Sequence, residues 1–193
     1  MKTLKPTLSH TPELLLKAQG GAFGMKAAIF DVDGVLTDGR IYIGEQGEAF
    51  KAFSTLDGHG LKLLRLAGIE PLIITGRDAP AVRRRVADLG LQHALFGIHD
   101  KLAAATPLLQ SLGLEWSQVA AMGDDWPDLP LMARAGLAIA PPGAHPEVLA
   151  CADYITRTPA GHGAAREACD LLLLAAGAYH RLFEQHLQTL DGR

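Results

Sequence analysis

The sequence predicts an α/β fold: a doubly wound parallel sheet with a protruding β-hairpin flap. Three observations carry this. Short apolar runs alternate with helix-length segments along most of the chain, the pattern of strands joined by right-handed helical crossovers. The first run, Ala27-Ala28-Ile29-Phe30, stops at Asp31-Val32-Asp33-Gly34, two aspartates one residue apart. Later runs end in Thr75-Gly76-Arg77 and Gly123-Asp124-Asp125, and in a parallel sheet such ends share one edge, where ligands bind.

Taken in order, Thr11-Pro12-Glu13 followed by leucines predicts a short capped helix. Gly20-Gly21-Ala22-Phe23-Gly24 then loosens the link to the first strand. Residues 1–24 read as an N-terminal appendage, 25–177 as the main domain and 178–193 as a helical tail. After the aspartates, Arg40-Ile41-Tyr42-Ile43 and Ala49-Phe50-Lys51-Ala52-Phe53 flank a glycine-bearing turn, which signals a hairpin over about 40–53. A lone hairpin is marginal in water. Two readings stand: it packs on another subunit through its Ile, Tyr and Phe, or it folds onto its own domain.

A helix over 61–67 opens from Asp57-Gly58-His59-Gly60, with Asp57 as its expected N-cap. The buried strand at 70–74 leads to a helix over 79–89 that stops at Gly90. A short strand near 94–96 precedes a helix beginning at Asp100-Lys101. Strands follow at 119–122, 137–140 and 153–156, with helices at 128–135, 145–150 and 166–176, the last continuing beyond Gly177 towards Leu190. There is no internal repeat, low-complexity stretch or dividing linker.

The 193 residues are 48% hydrophobic and 20% charged, with a formal charge of -3. That balance suits one domain with a sizeable core. It offers no basic field for nucleic acid or an anionic membrane, and no apolar segment is long enough to span a bilayer. Leu14-Leu15-Leu16 is too short for the apolar core of a secretory signal. The two cysteines, Cys151 and Cys169, have no metal spacing and read as reduced thiols of a cytoplasmic protein.

The strand-end residues suit phosphate chemistry. A carboxylate such as Asp31 can attack phosphorus and form an acyl phosphate. A second, Asp33, can protonate the leaving oxygen and later deprotonate water. Hard oxygens of Asp31 and Asp124, with a backbone carbonyl near Asp33, suit Mg²⁺. The Thr75 hydroxyl and Gly76 amide can donate to phosphoryl oxygens, and Lys101 adds positive charge that favours ionised Asp31. Arg85 lies at the edge of the apolar stripe formed by Val82, Val86 and Leu89. An arginine there needs an anionic partner, and a substrate carboxylate would suit its planar fork. Arg83 and Arg84 point elsewhere and read as solvated.

These four groups, Asp31-Val32-Asp33-Gly34-Val35-Leu36-Thr37-Asp38-Gly39, Ile74-Thr75-Gly76-Arg77, Asp100-Lys101 and Gly123-Asp124-Asp125, resemble the four motifs of the haloacid dehalogenase (HAD) superfamily. Lys51-Ala52-Phe53-Ser54, Asp57-Gly58-His59-Gly60, the hairpin and Arg166-Glu167-Ala168-Cys169-Asp170 narrow the resemblance to the 3-deoxy-D-manno-octulosonate (KDO) 8-phosphate phosphatases. It runs from about Lys26 to Gly177. The resemblance implies a HAD-like Rossmannoid core without a cap domain. It implies Asp31 as nucleophile, Asp33 as general acid/base, and Asp31, Asp33 (through its carbonyl) and Asp124 as Mg²⁺ ligands. Ser54, Thr55, Leu56, Asp57 and Gly58, with Lys62, Arg77, Arg85 and Lys101, would contact a phosphorylated sugar acid. A homotetramer is implied in which hairpins associate and a neighbouring subunit covers the site.

The chain departs from the family where it has Lys62 and Ala160-Gly161-His162-Gly163, positions at which the family favours arginine. A nine-carbon sugar acid 9-phosphate therefore stays open beside KDO 8-phosphate. A receiver-type phosphoacceptor domain uses similar residues, but there the acidic pair comes first and the acceptor aspartate later, the reverse of the order here. A silent scaffold is expected to lose Asp31, Asp33 or Asp124, and all three are present. Asp125 and Asp128 either cap the next helix or support Asp124. His59 and His162 are each open between a substrate contact and a solvated position. Arg157 reads either as a residue near the site or as a surface one. Met122, Trp116 and Trp126 read as packing, and the remaining histidines as surface or packing residues.

Overall fold

The structure is a computed structural model describing residues 5–20 and 24–191. Positions 21–23 of the glycine-bearing link lie outside the described residues. Six parallel strands form the main sheet: β1 (Ala27–Phe30), β4 (Glu70–Ile74), β5 (His93–Leu95), β6 (Val119–Met122), β7 (Leu137–Ala140) and β8 (Tyr154–Ile155). Their order is β5-β4-β1-β6-β7-β8. The strand that carries the aspartate pair is thus central, between β4 and β6. Ala27 pairs with Glu70 on one side and Val119 on the other.

Successive strand residues face opposite sides, and the core follows this alternation. Ala28, Phe30, Ile73, Met122 and Ile139 join one buried cluster. It is closed by α1 (Pro12–Ala18), α2 (Thr55–Leu66), α3 (Pro80–Leu89), α7 (Ala164–Ala175) and α8 (Tyr179–Asp191). Ala27, Ile29, Leu72, Ile74, Ala121 and Ala138 join the other. It lies under α4 (Lys101–Ser111), α5 (Leu129–Met132) and α6 (Pro146–Cys151). Helices on both faces explain why the strands read as unbroken apolar runs.

The expected elements appear, with four local differences. The N-cap of α2 is Ser54, whose hydroxyl accepts from Leu56 N at 3.2 Å; Asp57 sits inside the helix and is buried. The segment expected as a helix over 128–135 is a 3-10 turn at Trp126–Asp128 followed by the single turn of α5. The tail is a separate helix: the chain turns at Gly177, where φ is 66°, and α8 packs Leu182 against the core. Trp126, expected as packing, is 61% exposed. Arg83 is bound by Asp78 at 2.6 Å and lies over the Phe96 ring. Near the N-terminus, Leu14, Leu15 and Ala18 pack into the core cluster that includes α7, and Lys17 pairs with Asp153.

The hairpin, β2 (Tyr42–Gly44) with β3 (Gly47–Phe50), is a two-stranded antiparallel sheet apart from the main one. Tyr42 stacks on Phe50, while Ile41, Ile43 and Phe50 are exposed.

One loop contact is sterically tight. Gly161 has φ of 70°, and its N–H donates to Val35 O at 3.2 Å. A Cβ there would meet Asp38 N at 2.5 Å and Thr37 C at 2.7 Å. We expect Gly161→Ala to lower stability by about 2 kcal/mol through strain and loop displacement. Urea denaturation checks this, and an unchanged midpoint contradicts it.

Candidate active site

The loop after β1, the start of α4 and the loop after β6 meet at the carboxyl edge of the sheet. Asp31 is 7% exposed, Lys101 4% and Asp128 3%. Lys101 Nζ lies 2.7 Å from Asp31 Oδ1 and 2.6 Å from Asp128 Oδ1. Asp100 caps α4 by accepting from Ala103 N at 2.9 Å, which places Lys101 at the first helical position. Asp128 Oδ2 accepts from the backbone N–H groups of Asp124 and Asp125 at 3.1 and 3.4 Å. The two sequence readings thus divide between the two residues: Asp125 caps the turn, accepting from Trp126 N at 2.8 Å, and Asp128 supports the backbone at Asp124.

One carboxylate oxygen from each of Asp31, Asp124 and Asp128 lies within 4.8 Å of the others. Three acidic groups face one ammonium. Burial pushes the Asp124 carboxyl up to about 8, with Asp31, Asp128 and Asp125 adding repulsion. Burial and then Asp128 raise Asp31 to about 6, against the opposing pull of Lys101. Lys101 is raised as well: burial opposes its charge, but Asp31 and Asp128 outweigh it.

A second charge layer forms above the first. Lys51, whose side chain is fully buried, pairs with Asp33 and with Glu48 at 2.9 Å. Arg77 reaches Glu48 at 2.7 Å and Asp33 Oδ2 at 3.9 Å. Asp33 Oδ2 is buried without a hydrogen-bond partner. Thr75 is buried at the end of β4, and its hydroxyl accepts from Arg77 N at 3.3 Å; Gly76 is exposed beside it. The Thr37 hydroxyl donates to Val32 O at 3.2 Å and accepts from Gly34 N and Gly39 N, which fixes the aspartate loop.

Asp31, Asp124 and Lys101 are thus brought together, with Asp33, Thr75 and Arg77 on the loops beside them. The carboxylate of Asp33 is not among the clustered oxygens; it faces Lys51. Ser54, Thr55, Leu56, Asp57 and Gly58 form the start of α2 and its cap. Arg85 is half-buried there, donates to Ser54 O at 3.0 Å and stands 5.8 Å from the Phe53 ring centroid. Lys62 lies on an exposed face of α2, about 10 Å along the helix from Thr55. His162 borders a cleft of about 290 Å³ that also touches Gly34, Asp38, Arg40 and Asp124. His59 is exposed, with its ring 5.4 Å from that of His186. The sequence reading assigned no site role to Lys51 or Glu48. Their signal was charge: a lysine in the return strand of a hairpin that follows an aspartate pair.

A hard divalent cation fits the lower layer. Asp128 is committed to Lys101 and two amides, and Asp31 Oδ1 to Lys101. Asp124 Oδ1 is buried with no partner. Gly34 lies so close to the Asp124 carboxylate that any side chain there would displace it. Asp31 and Asp124 therefore present free carboxylate oxygen to one point, as oxygen-coordinated Mg²⁺ requires.

This parallel sheet, with a buried Asp-Lys-Asp network at its carboxyl edge and two further acids beside it, defines a HAD-type hydrolase. A family model described as haloacid dehalogenase-like hydrolase matches residues 95–167. The 3-deoxy-D-manno-octulosonate 8-phosphate phosphatase KdsC of Escherichia coli strain K12 is 47% identical over 156 residues, 81% of this chain and 83% of that protein. Its Salmonella typhimurium counterpart is 45% identical, covering 86% and 87%. Among solved structures, the Moraxella catarrhalis KDO 8-phosphate phosphatase, in complex with magnesium ion, phosphate ion and KDO, superposes with TM-score 0.86. It is 40% identical, with 92% of this chain and 99% of that one covered. The chain belongs to the KDO 8-phosphate phosphatase family of the HAD superfamily. The receiver-type alternative falls with this assignment.

The raised carboxyls yield a stability prediction. Both folded values exceed the ordinary carboxylate value of 3.8, so the folded protein binds these protons more tightly than the unfolded chain. Their contribution is full below about pH 4 and is lost as pH rises through about 6 and then about 8. In chelator, the melting temperature is expected to fall by several degrees between about pH 5 and 8.5, and Asp124→Asn to remove most of that slope. Mg²⁺ should raise the wild-type melt more at the higher pH, because protons compete for the same oxygens. A flat profile in scanning fluorimetry, or equal Mg²⁺ effects at both ends, contradicts the charge account.

Proposed function

We propose that this chain is a Mg²⁺-dependent phosphomonoesterase that hydrolyses KDO 8-phosphate to KDO and phosphate through an aspartyl-phosphate on Asp31. The observation that carries the chemistry is the Asp31 carboxylate, buried at 2.7 Å from Lys101 and clustered with Asp124. The substrate follows from relatives named for it at 45–47% identity over most of the chain. The same relation supports a role in lipopolysaccharide precursor synthesis.

Asp31 attacks phosphorus with one carboxylate oxygen, and the bond to the sugar oxygen breaks. Lys101 holds the other oxygen and orients the attack. Asp33 donates its proton to the departing sugar oxygen. Lys51 grips Asp33 by Oδ1, which leaves Oδ2 as the oxygen that transfers the proton. The same carboxylate then takes a proton from water, which attacks phosphorus and releases Asp31 and phosphate. Thr75 and Gly76 donate to phosphoryl oxygens. Asp31, the Asp33 carbonyl and Asp124 would hold Mg²⁺. When bound, the cation offsets repulsion between carboxylates and phosphate and stabilises charge at the phosphoryl oxygens.

Ser54, Thr55, Leu56 and Gly58 at the start of α2, with Lys62, Arg77, Arg85 and Lys101, are assigned to the sugar acid phosphate; Asp57, expected among these contacts, is buried with its carboxylate on α7 and is assigned none. Arg77, 44% exposed at its side chain and beside Asp33, is the arginine best placed for an incoming anion. We also assign a homotetramer. The isolated hairpin with exposed Ile41, Ile43 and Phe50 supports it, since such a ribbon gains stability only when covered. Free Cys151 and Cys169 support a cytoplasmic setting.

Asp31→Asn should fold with an unchanged circular dichroism spectrum and lose phosphate release from KDO 8-phosphate by on the order of 10³-fold or more. Retention of full activity would remove the nucleophile assignment. Light scattering at micromolar concentration should give four chains per particle, falling on Ile43→Lys; a wild-type monomer contradicts the tetramer.

A further inference from the structure

Asp57 is 2% exposed, and its carboxylate faces another helix rather than solvent. The first N–H groups of any helix lack partners within it. At α7 the N-cap position is Gly163, with φ of 115° and no side chain to serve as a cap. Asp57 Oδ1 accepts from Arg166 N at 2.8 Å, and the amides of Gly163 and Ala165 also bear on this carboxylate. Asp57 itself belongs to the first turn of α2, where Ser54 already supplies the cap. The α7 N-terminus is therefore capped by a side chain 109 positions earlier in the chain.

Other contacts extend this link to the site. Arg85 holds Ser54 O at 3.0 Å and lies against Gly58, where a Cβ would displace its guanidinium. Ser54, Asp57 and Arg85 line one small cavity, and Asp57 Oδ2 is buried without a hydrogen-bond partner. On the α7 side, Glu167 accepts from Tyr154 Oη at 2.6 Å, Arg157 N at 2.9 Å, and Thr158 N and Oγ1 at 3.0 and 2.6 Å. Gly161 N–H reaches Val35 O in the aspartate loop. The loop over 157–163, which brings His162 to the cleft beside Asp124, is thus held at both ends by the first turn of α7.

We propose that Asp57 is a positioning residue: by capping α7 from α2 it locks the start of α2 and the 157–163 loop into one rigid wall of the substrate cleft. This rests on the phosphatase reading and deepens it. Asp57 acts on substrate affinity through these two segments and takes no part in bond breaking.

The test compares wild type, Asp57→Asn, Asp57→Ala and Asp153→Ala. Asp153 pairs with Lys17 and accepts from Ala138 N at 2.9 Å, away from the cleft, so its loss reports destabilisation alone. In Asp57→Asn, amide hydrogen exchange over 157–166 should accelerate about tenfold while the central strands keep their protection. KM for KDO 8-phosphate should rise about tenfold with kcat within about threefold. Asp153→Ala should lower the melting temperature and move neither quantity. Unchanged exchange over 157–166, or unchanged KM in an active Asp57→Asn enzyme, overturns the proposal. So does an equal rise in KM for Asp153→Ala. Should Asp57→Ala fail to fold, Asp57→Asn decides, because it keeps the size while it removes the charge and turns one of the two carboxylate oxygens into an N–H donor that repels the α7 amides. Loss of phosphate release in wild type would overturn the phosphatase reading alone, since the exchange measurement needs no substrate.

Discussion

Two buried carboxylates and a half-buried third around one buried ammonium constrain the rest of this structure. Asp31, Asp124 and Asp128 share the carboxyl edge of the sheet with Lys101. Buried charge is costly unless it is paired and hydrogen-bonded, and here the pairing is incomplete by design of the sequence. Lys101 satisfies Asp31 and Asp128, and Asp128 is further satisfied by two backbone N–H groups. Asp124 keeps a buried oxygen without a partner. The cluster accordingly favours a divalent cation and an approaching electrophile over additional anions. β1 and β6 must be adjacent for this to exist, and their register pairs Phe30 with Met122 directly below the aspartates.

A second layer links the chemistry to the hairpin. Lys51 and Glu48 lie at the return of the flap; Lys51 and Arg77 both reach Asp33, and Glu48 bridges those two cations. The same short ribbon that exposes Ile43 and Phe50 at its outer side thus carries the lysine that holds the proposed acid/base. Anything that shifts the hairpin, including its burial against another subunit, would act on Asp33 through Lys51.

Much of this fold was legible in the sequence because the central strands are buried on both faces. Ala27–Phe30, Val119–Met122 and Leu137–Ala140 are continuous apolar runs for that reason. The four strand and helix ends that carry Asp31, Thr75, Lys101 and Asp124 were legible from the order of their motifs. What stayed hidden depends on contacts between distant segments. Asp57 looks locally like an N-cap, yet Ser54 takes that position and Asp57 serves α7 instead. Arg85 was expected to seek a substrate carboxylate; part of its bonding is to Ser54 O within the protein. The pairing of Lys51 with Asp33 spans 18 residues across a hairpin, and no periodicity encodes it. Trp126 reads as core from its type alone, but it sits on the turn that Asp128 closes, which turns it outward.

The central claim is that Asp31 becomes covalently phosphorylated. Acid quench during turnover of KDO 8-phosphate with Mg²⁺, followed by peptide mass spectrometry, tests it most directly. The account predicts one phosphoryl group on the peptide containing Asp31, absent in Asp31→Asn. Rapid phosphate release with no phosphorylated peptide at any quench time, or with the group on another residue, would contradict it.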